Sequence, residues 1–265
     1  MCILNKISGA LRAVAGTPHP KNYTTAIIAA AGLSERFGGE TTKQMTTLCD
    51  YPLLAHTLNA YQSTGCIHEI IIVAKRNEIP FWELVCRNYN FDKVTKIMPG
   101  GMTRQESVLC GLDAVDNKSK FVAIADGARC LTTPEQIERV CRAAYKYKAA
   151  TAAHRSTDTV KIADSKGFID TTPDRDTVWL AQTPQVFKTK LYRAAAYTAL
   201  KKDFKGTDDN SLVENVKHPI RLVECGVQNI KVTTREDLVI AEAILRSRQG
   251  ESDGVEFERT QEDAE

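Results

Sequence analysis

The residues with chemistry to offer fall into four groups: Gly32, Ser34, Arg36 and Lys43; Gly100, Gly101, Arg104 and Ser107; Asp126 and Arg129; and Lys231. The first three groups each follow an apolar run, and Lys231 sits inside "NIKVT". Glycines let backbone N–H groups approach an anion closely, and cations neutralise phosphate oxygens. A lone Asp among cations suits a hard metal such as Mg²⁺ that also touches phosphate, rather than a general base. Together these types describe a polyphosphate site that stabilises a transferring phosphoryl or nucleotidyl group. Singly, each has a plain reading as a turn glycine, a solvated cation or a capping carboxylate. Their convergence is the argument.

The first group, in "IIAAAGLSERFGGETTKQ", matches neither of two well-known phosphate motifs. No Lys-Ser or Lys-Thr pair closes a P-loop, and Gly32 with Gly38 lacks the G-x-G-x-x-G spacing of a dinucleotide fold.

Convergence depends on the elements between these groups. Apolar, β-branched runs over 24–31, 69–74, 93–98 and 120–126 read as strands. Helical patterns over 52–64, 78–89, 103–115 and from about Pro134 onward alternate with them. That alternation predicts an α/β fold with a mostly parallel sheet covered on both faces, and ligands in such sheets bind beyond the carboxyl ends of the strands. From about 151 to 180 the pattern changes to short strand-like pieces, "TVKIAD", "GFIDTT" and "TVWLAQ", which read as an inserted β-arm. A thin arm tends to pack on something else, and a second subunit is a natural candidate. Helices over 188–202, 209–217 and 234–248 follow, with "IRLVEC" and "NIKVT" as strand pieces between the last two.

The 265 residues divide into an extension (1–22), one domain (23–249) and an acidic tail (250–265) that reads as disordered. In the extension, Ile3, Leu4, Ile7, Leu11 and Val14 share a helical face that Pro18 and Pro20 terminate. Net charge is +2, so no strong field draws the chain to nucleic acid or to a membrane surface. Eight scattered cysteines without a C-x-x-C pair read as reduced thiols, not a zinc site. With no apolar run long enough to span a bilayer and no signal-peptide pattern, the expected location is cytoplasmic.

Over about residues 24–248 the chain resembles the 2-C-methyl-D-erythritol 4-phosphate cytidylyltransferase family and its near relatives that act on ribitol 5-phosphate. The matching elements, in order, are "AAAGLSERFGGETTKQ", "PGGMTRQESVLCGL", "IADGARC", "STDTVK", "DRDTVWLAQTPQVF", "TDDNSLVE" and "NIKVTTREDL". The resemblance implies a Rossmann-like nucleotidyltransferase fold and transfer of CMP from CTP to a polyol phosphate, with Mg²⁺ or another divalent cation. It places Ala30, Ala31 and Gly32 near the nucleotide, and Arg36, Lys43 and Lys231 on the phosphates. Gly101 and Ser107, with Arg104 as the matching basic residue, fall in the cytosine-reading segment. Asp126 corresponds to the metal ligand, with Arg129 alongside. Thr159 and Arg175 match acceptor-contacting positions that reach from the other subunit of a homodimer.

The chain departs from the family pattern at Ser34, where many members have glycine, and at Ala125 and Cys130, where His and Pro are usual. Gln228 stands where some members place an acidic residue. Two alternatives stay open: ribitol 5-phosphate or another polyol phosphate as acceptor, and a catalytically silent binding relative. Retention of Arg36, Lys43, Asp126 and Lys231 together argues against the silent relative.

Overall fold

A computed structural model describes residues 20–32 and 42–249. The expected N-terminal helix, Ser34, Arg36 and the acidic tail lie outside these residues.

The first half of the domain forms as the alternation predicts. Strands β1 (Thr24–Ala29), β4 (Glu69–Ala74), β5 (Val94–Pro99) and β6 (Phe121–Asp126) alternate with helices α1 (Leu53–Ser63), α2 (Ile79–Asn88), α3 (Arg104–Asp113) and α4 (Pro134–Tyr147). A two-residue hairpin, β2 (Thr47–Leu48) and β3 (Tyr51–Pro52), leads into α1. Thr103 and Thr133 start α3 and α4 as capping boxes with Glu106 and Gln136.

The rest of the chain adds β7 (Ala149–Arg155), β8 (Ile162–Ala163), β9 (Ile169–Thr171), β10 (Trp179–Lys188), α5 (Thr189–Lys201), α6 (Asp209–Asn215), β11 (Arg221–Glu224) and α7 (Arg235–Gln249). The seven-stranded sheet runs β11-β7-β10-β6-β1-β4-β5. β10 is antiparallel to both its neighbours, while β6, β1, β4 and β5 run parallel, as do β7 and β11. Both ends of the 151–180 stretch thus enter the main sheet. The excursion narrows to residues 156–178, carrying the exposed β8–β9 hairpin. "NIKVT" is not a strand; it runs as a connection into α7.

Period-2 alternation splits the buried strand residues between two faces. Ala26, Ile28, Ile70 and Ile72 pack beneath α1, α2 and α4, while Ile27, Ile71, Val122 and Ile124 pack beneath α3, α5 and α6. A third cluster lies at the end of the domain. Leu238, Ala241, Ile244 and Leu245 of α7 meet Leu48, Leu53, Ala128, Cys130, Leu131 and Val232. This cluster holds down the segment after β6 and the connection that carries Lys231.

Candidate active site

The parallel strands β1, β5 and β6 end on one edge of the sheet, and three of the sequence groups meet there. After β1, Ala30 is buried and its N–H donates to Val73 O at 2.8 Å, while Ala31 and Gly32 emerge toward solvent. After β5, Gly100 donates to Ala74 O at 3.0 Å. A Cβ on Gly100 would lie 2.5 Å from Ala31 Cβ and 2.6 Å from Ser107 Oγ, so only glycine lets these segments close together. Gly101 is equally confined, against Glu106. Ser107 is buried and its hydroxyl donates to Thr103 O at 2.9 Å, fixing the first turn of α3. Lys43 and Gln44 open a short 3-10 turn ahead of β2, and both are buried.

Asp126, the last residue of β6, is the hub. It is 8 % exposed, and its backbone N–H donates to Thr183 Oγ1 at 3.1 Å. Its Oδ1 receives Arg104 Nε at 2.9 Å, and its Oδ2 receives Lys231 Nζ at 2.9 Å, with Arg129 Nε 3.9 Å away. Burial alone would raise the carboxyl pKa, but Arg104, Lys231 and Arg129 outweigh it and hold the group well below the usual carboxylate range. Asp126 is therefore an anion wherever the protein would work.

Each cation is positioned differently. Arg129 donates to the carbonyls of Asn229 and Ala181. Burial lowers its pKa, partly offset by Asp126. Asn229 is itself fully buried, bonding to Gln182 Oε1, Thr183 O and Thr132 Oγ1. Val232 N–H donates to Ala128 O at 2.9 Å. Lys231 is thus pinned on both sides in a connection that no strand periodicity describes.

Arg104 bridges two carboxylates, since its Nη2 lies 2.8 Å from Asp209 Oδ2. Burial works against its charge, but Asp209 and Asp126 together outweigh it and raise the guanidinium pKa. Asp209, 1 % exposed, is the residue that sequence reading passed over, although "TDDNSLVE" was singled out as a matching segment. Its available signal was the capping pattern of α6, in which Asp208 accepts from Ser211 N at 3.0 Å. Gln185 of β10 docks that helix start, accepting from the backbone N–H groups of Asp209 and Asn210. Tyr192 OH donates to Asp209 Oδ1.

Comparison with known proteins shows the family to which this chain belongs. The family model described as IspD, 2-C-methyl-D-erythritol 4-phosphate cytidylyltransferase, matches residues 24–247. The chain belongs to this family. A protein of that name from Caldanaerobacter subterraneus subsp. tengcongensis is 43% identical over 223 residues, covering 84% of this chain and 98% of its own. One from Microcystis aeruginosa is 41% identical over 222 residues, with the same two coverages. The crystal structure of 4-diphosphocytidyl-2C-methyl-D-erythritol synthase from Anaerococcus prevotii superposes with a TM-score of 0.77 at 32% identity. It covers 85% of this chain and 99% of that one. Membership makes the chain one of a family of nucleotidyltransferase enzymes, and its mostly parallel α/β sheet is the fold of the family's solved structures.

Three positions where the chain departs from the family pattern have a structural setting. Ala125 and Cys130 are buried, and burial pushes the Cys130 thiol up to about 12. Cys130 packs in the third apolar cluster, so an apolar residue suits it. Gln228 accepts a hydrogen bond from Arg248 Nη2 at 3.1 Å, an interaction with α7. Thr159 and Arg175 are exposed on the excursion, and no ion pair or hydrogen bond among the described residues joins them to the Asp126 cluster. The seven described cysteines are free thiols, and no helix among the described residues is long and apolar enough to cross a membrane.

Proposed function

We propose that this chain transfers CMP from CTP to 2-C-methyl-D-erythritol 4-phosphate, releasing pyrophosphate, as a Mg²⁺-dependent homodimer. One observation carries the reading: within this family, a single ionised carboxylate ends a parallel strand with three cations gathered on it and glycine-lined backbone beside it.

The nucleophile in such a transfer is a phosphate oxygen of the acceptor, which attacks the α-phosphorus of CTP. A phosphate monoester is already ionised near neutral pH, so no general base is needed. The described histidines have other surroundings. His56 bonds the Leu48 carbonyl, His68 accepts from Thr24 N and stacks on Tyr23, and His154 and His218 bond neighbouring carbonyls. What the site must supply is alignment of two polyanions and neutralisation of the charge that builds on the α-phosphate and the leaving group.

Lys43, Lys231 and Arg36 suit that task, with the backbone of Ala30, Ala31 and Gly32 cradling the triphosphate. Gly101, Ser107 and Arg104 form the segment assigned to the base, and Arg129 stands beside the phosphates. Among the described residues no three His, Cys, Asp or Glu side chains gather into a metal cage. Asp126 offers one hard, ionised oxygen donor, which fits an ion completed by substrate phosphates. When bound, Mg²⁺ supplies further neutralisation of the phosphate oxygens. Thr159 and Arg175 act on the acceptor across the dimer. Exposed Ile162, Phe168 and Ile169 on the arm support that association.

The test is pyrophosphate release with Mg²⁺, using CTP against ATP, GTP and UTP, and methylerythritol phosphate against ribitol 5-phosphate. Release confined to CTP with methylerythritol phosphate is expected. Release only with ribitol 5-phosphate would move the acceptor assignment, and none with any pair would overturn the reading. In Arg175→Ala, KM for the acceptor should rise about tenfold or more with that for CTP little changed, the signature of lost acceptor binding. Equal effects on both substrates would remove Arg175 from the acceptor site.

A further inference from the structure

Asp126 has no oxygen to spare in this arrangement, because Arg104 takes Oδ1 and Lys231 takes Oδ2, each at 2.9 Å. A divalent ion cannot share an oxygen with a guanidinium without strong like-charge repulsion. One cation must therefore turn away before Asp126 can serve a metal. Lys231 has a flexible stem and, among the described residues, one carboxylate partner, so phosphate oxygens can draw it off.

Arg104 is held differently. Its fork is divided between Asp126 and Asp209 at 2.9 and 2.8 Å. Asp209 is nearly sealed from solvent and fixed by Tyr192 OH and by Gln185 at its own N–H. Leaving that buried carboxylate without a cation is costly, whereas Asp126 has other cations at hand.

We propose that Asp209 is a positioning residue: by holding one arm of the Arg104 fork it confines the guanidinium to Oδ1 of Asp126, so that Oδ2, once Lys231 turns to the phosphates, is open to the divalent ion that accompanies the nucleotide. The proposal rests on the CTP-binding reading above. In Asp209→Asn the guanidinium keeps, among the described residues, Asp126 as its one anionic partner, can turn its fork onto both oxygens, and becomes a stronger competitor for the metal.

The experiment is calorimetric titration with CTP and no acceptor, once in Mg²⁺ and once in EDTA. The unaltered protein should bind CTP about tenfold or more tightly with Mg²⁺, a coupling of ordinary size. Asp209→Asn should lose most of that ratio while its affinity in EDTA stays within about threefold. In an Arg104→Gln background the same substitution should add nothing. Asp209→Asn weakening CTP equally in both buffers would overturn the proposal, because that is what a merely structural residue does. If Asp209→Asn does not fold, Arg104→Gln alone decides. It removes the competitor and must keep the Mg²⁺ gain, and loss of the gain overturns the proposal. CTP binding without metal dependence in the unaltered protein overturns the proposal alone. Absence of any CTP binding overturns the cytidylyltransferase reading with it.

Discussion

Lys231→Ala lowers turnover by roughly a hundredfold while the chain stays folded, the loss expected on removing one preorganised donor worth about 3 kcal/mol. The side chain is partly exposed, and among the described residues its one ion pair is to Asp126. Its backbone is fixed by its neighbours: Asn229 is tied to β10 and Val232 to Ala128. Truncation therefore removes a charge and leaves the connection in place. Lys43→Ala should behave alike, although its greater burial adds a packing cost. The measurement is kcat for pyrophosphate release beside a thermal melt. Turnover near that of the unaltered protein in both variants would remove these lysines from phosphate handling.

Asp126→Asn carries the largest combined effect. Activity should fall by at least the same factor, since the one acidic donor at the strand end is gone. Stability should fall by about 3 kcal/mol at neutral pH, because Arg104, Arg129 and Lys231 are left facing a neutral amide. The pH dependence has a definite sign. Burial raises the carboxyl pKa and the three cations lower it further than that, so the folded value lies below the unfolded value of 3.8. The ionised carboxylate thus contributes its full stability above about pH 4 and loses it as pH falls through the folded value. The melting-temperature gap between the unaltered protein and Asp126→Asn should be widest near neutrality and shrink below about pH 4. A gap that stays constant into acid would show that the charge cluster does not stabilise the fold.

Much of the fold was legible because periodicity and capping agree. The expected helix over 103–115 is observed at Arg104–Asp113, and Thr103 with Glu106 is the reason it starts there. Strands β1, β4 and β6 declared themselves as apolar runs buried on both faces, whereas β5, at the sheet edge, is only partly buried. What sequence reading missed has a common cause, which is tertiary context overriding local preference. β7 reads "AATAAHR", poor in β-formers, yet its alanines are fully buried because α4 and β10 pack closely on it. "TPQVFK" in β10 begins with a turn-like Thr-Pro and still pairs antiparallel with β6. "NIKVT" has the residues of a strand, but Asn229 is drawn inward by Gln182, Thr183 and Thr132.

The same contrast holds in the site. Asp126, Arg104, Arg129 and Lys231 were readable because each lies in a distinctive local string, and the structure brings all four together. Asp209 was not, because an Asp in the first turn of a short helix is indistinguishable locally from a cap. Only its approach to Arg104, 105 residues earlier in the chain, separates it from Asp208.

The strand order also bears on how the chain is made. β10 lies between β6 and β7, so a nascent chain that has emerged only as far as β7 keeps the β6 edge unpaired. Lys231 and the α7 residues that pack on its neighbours Ile230 and Val232 come later still. Ribosome-bound intermediates therefore carry an open sheet edge, and a chain released before residue 231 lacks one of the four members of the Asp126 cluster.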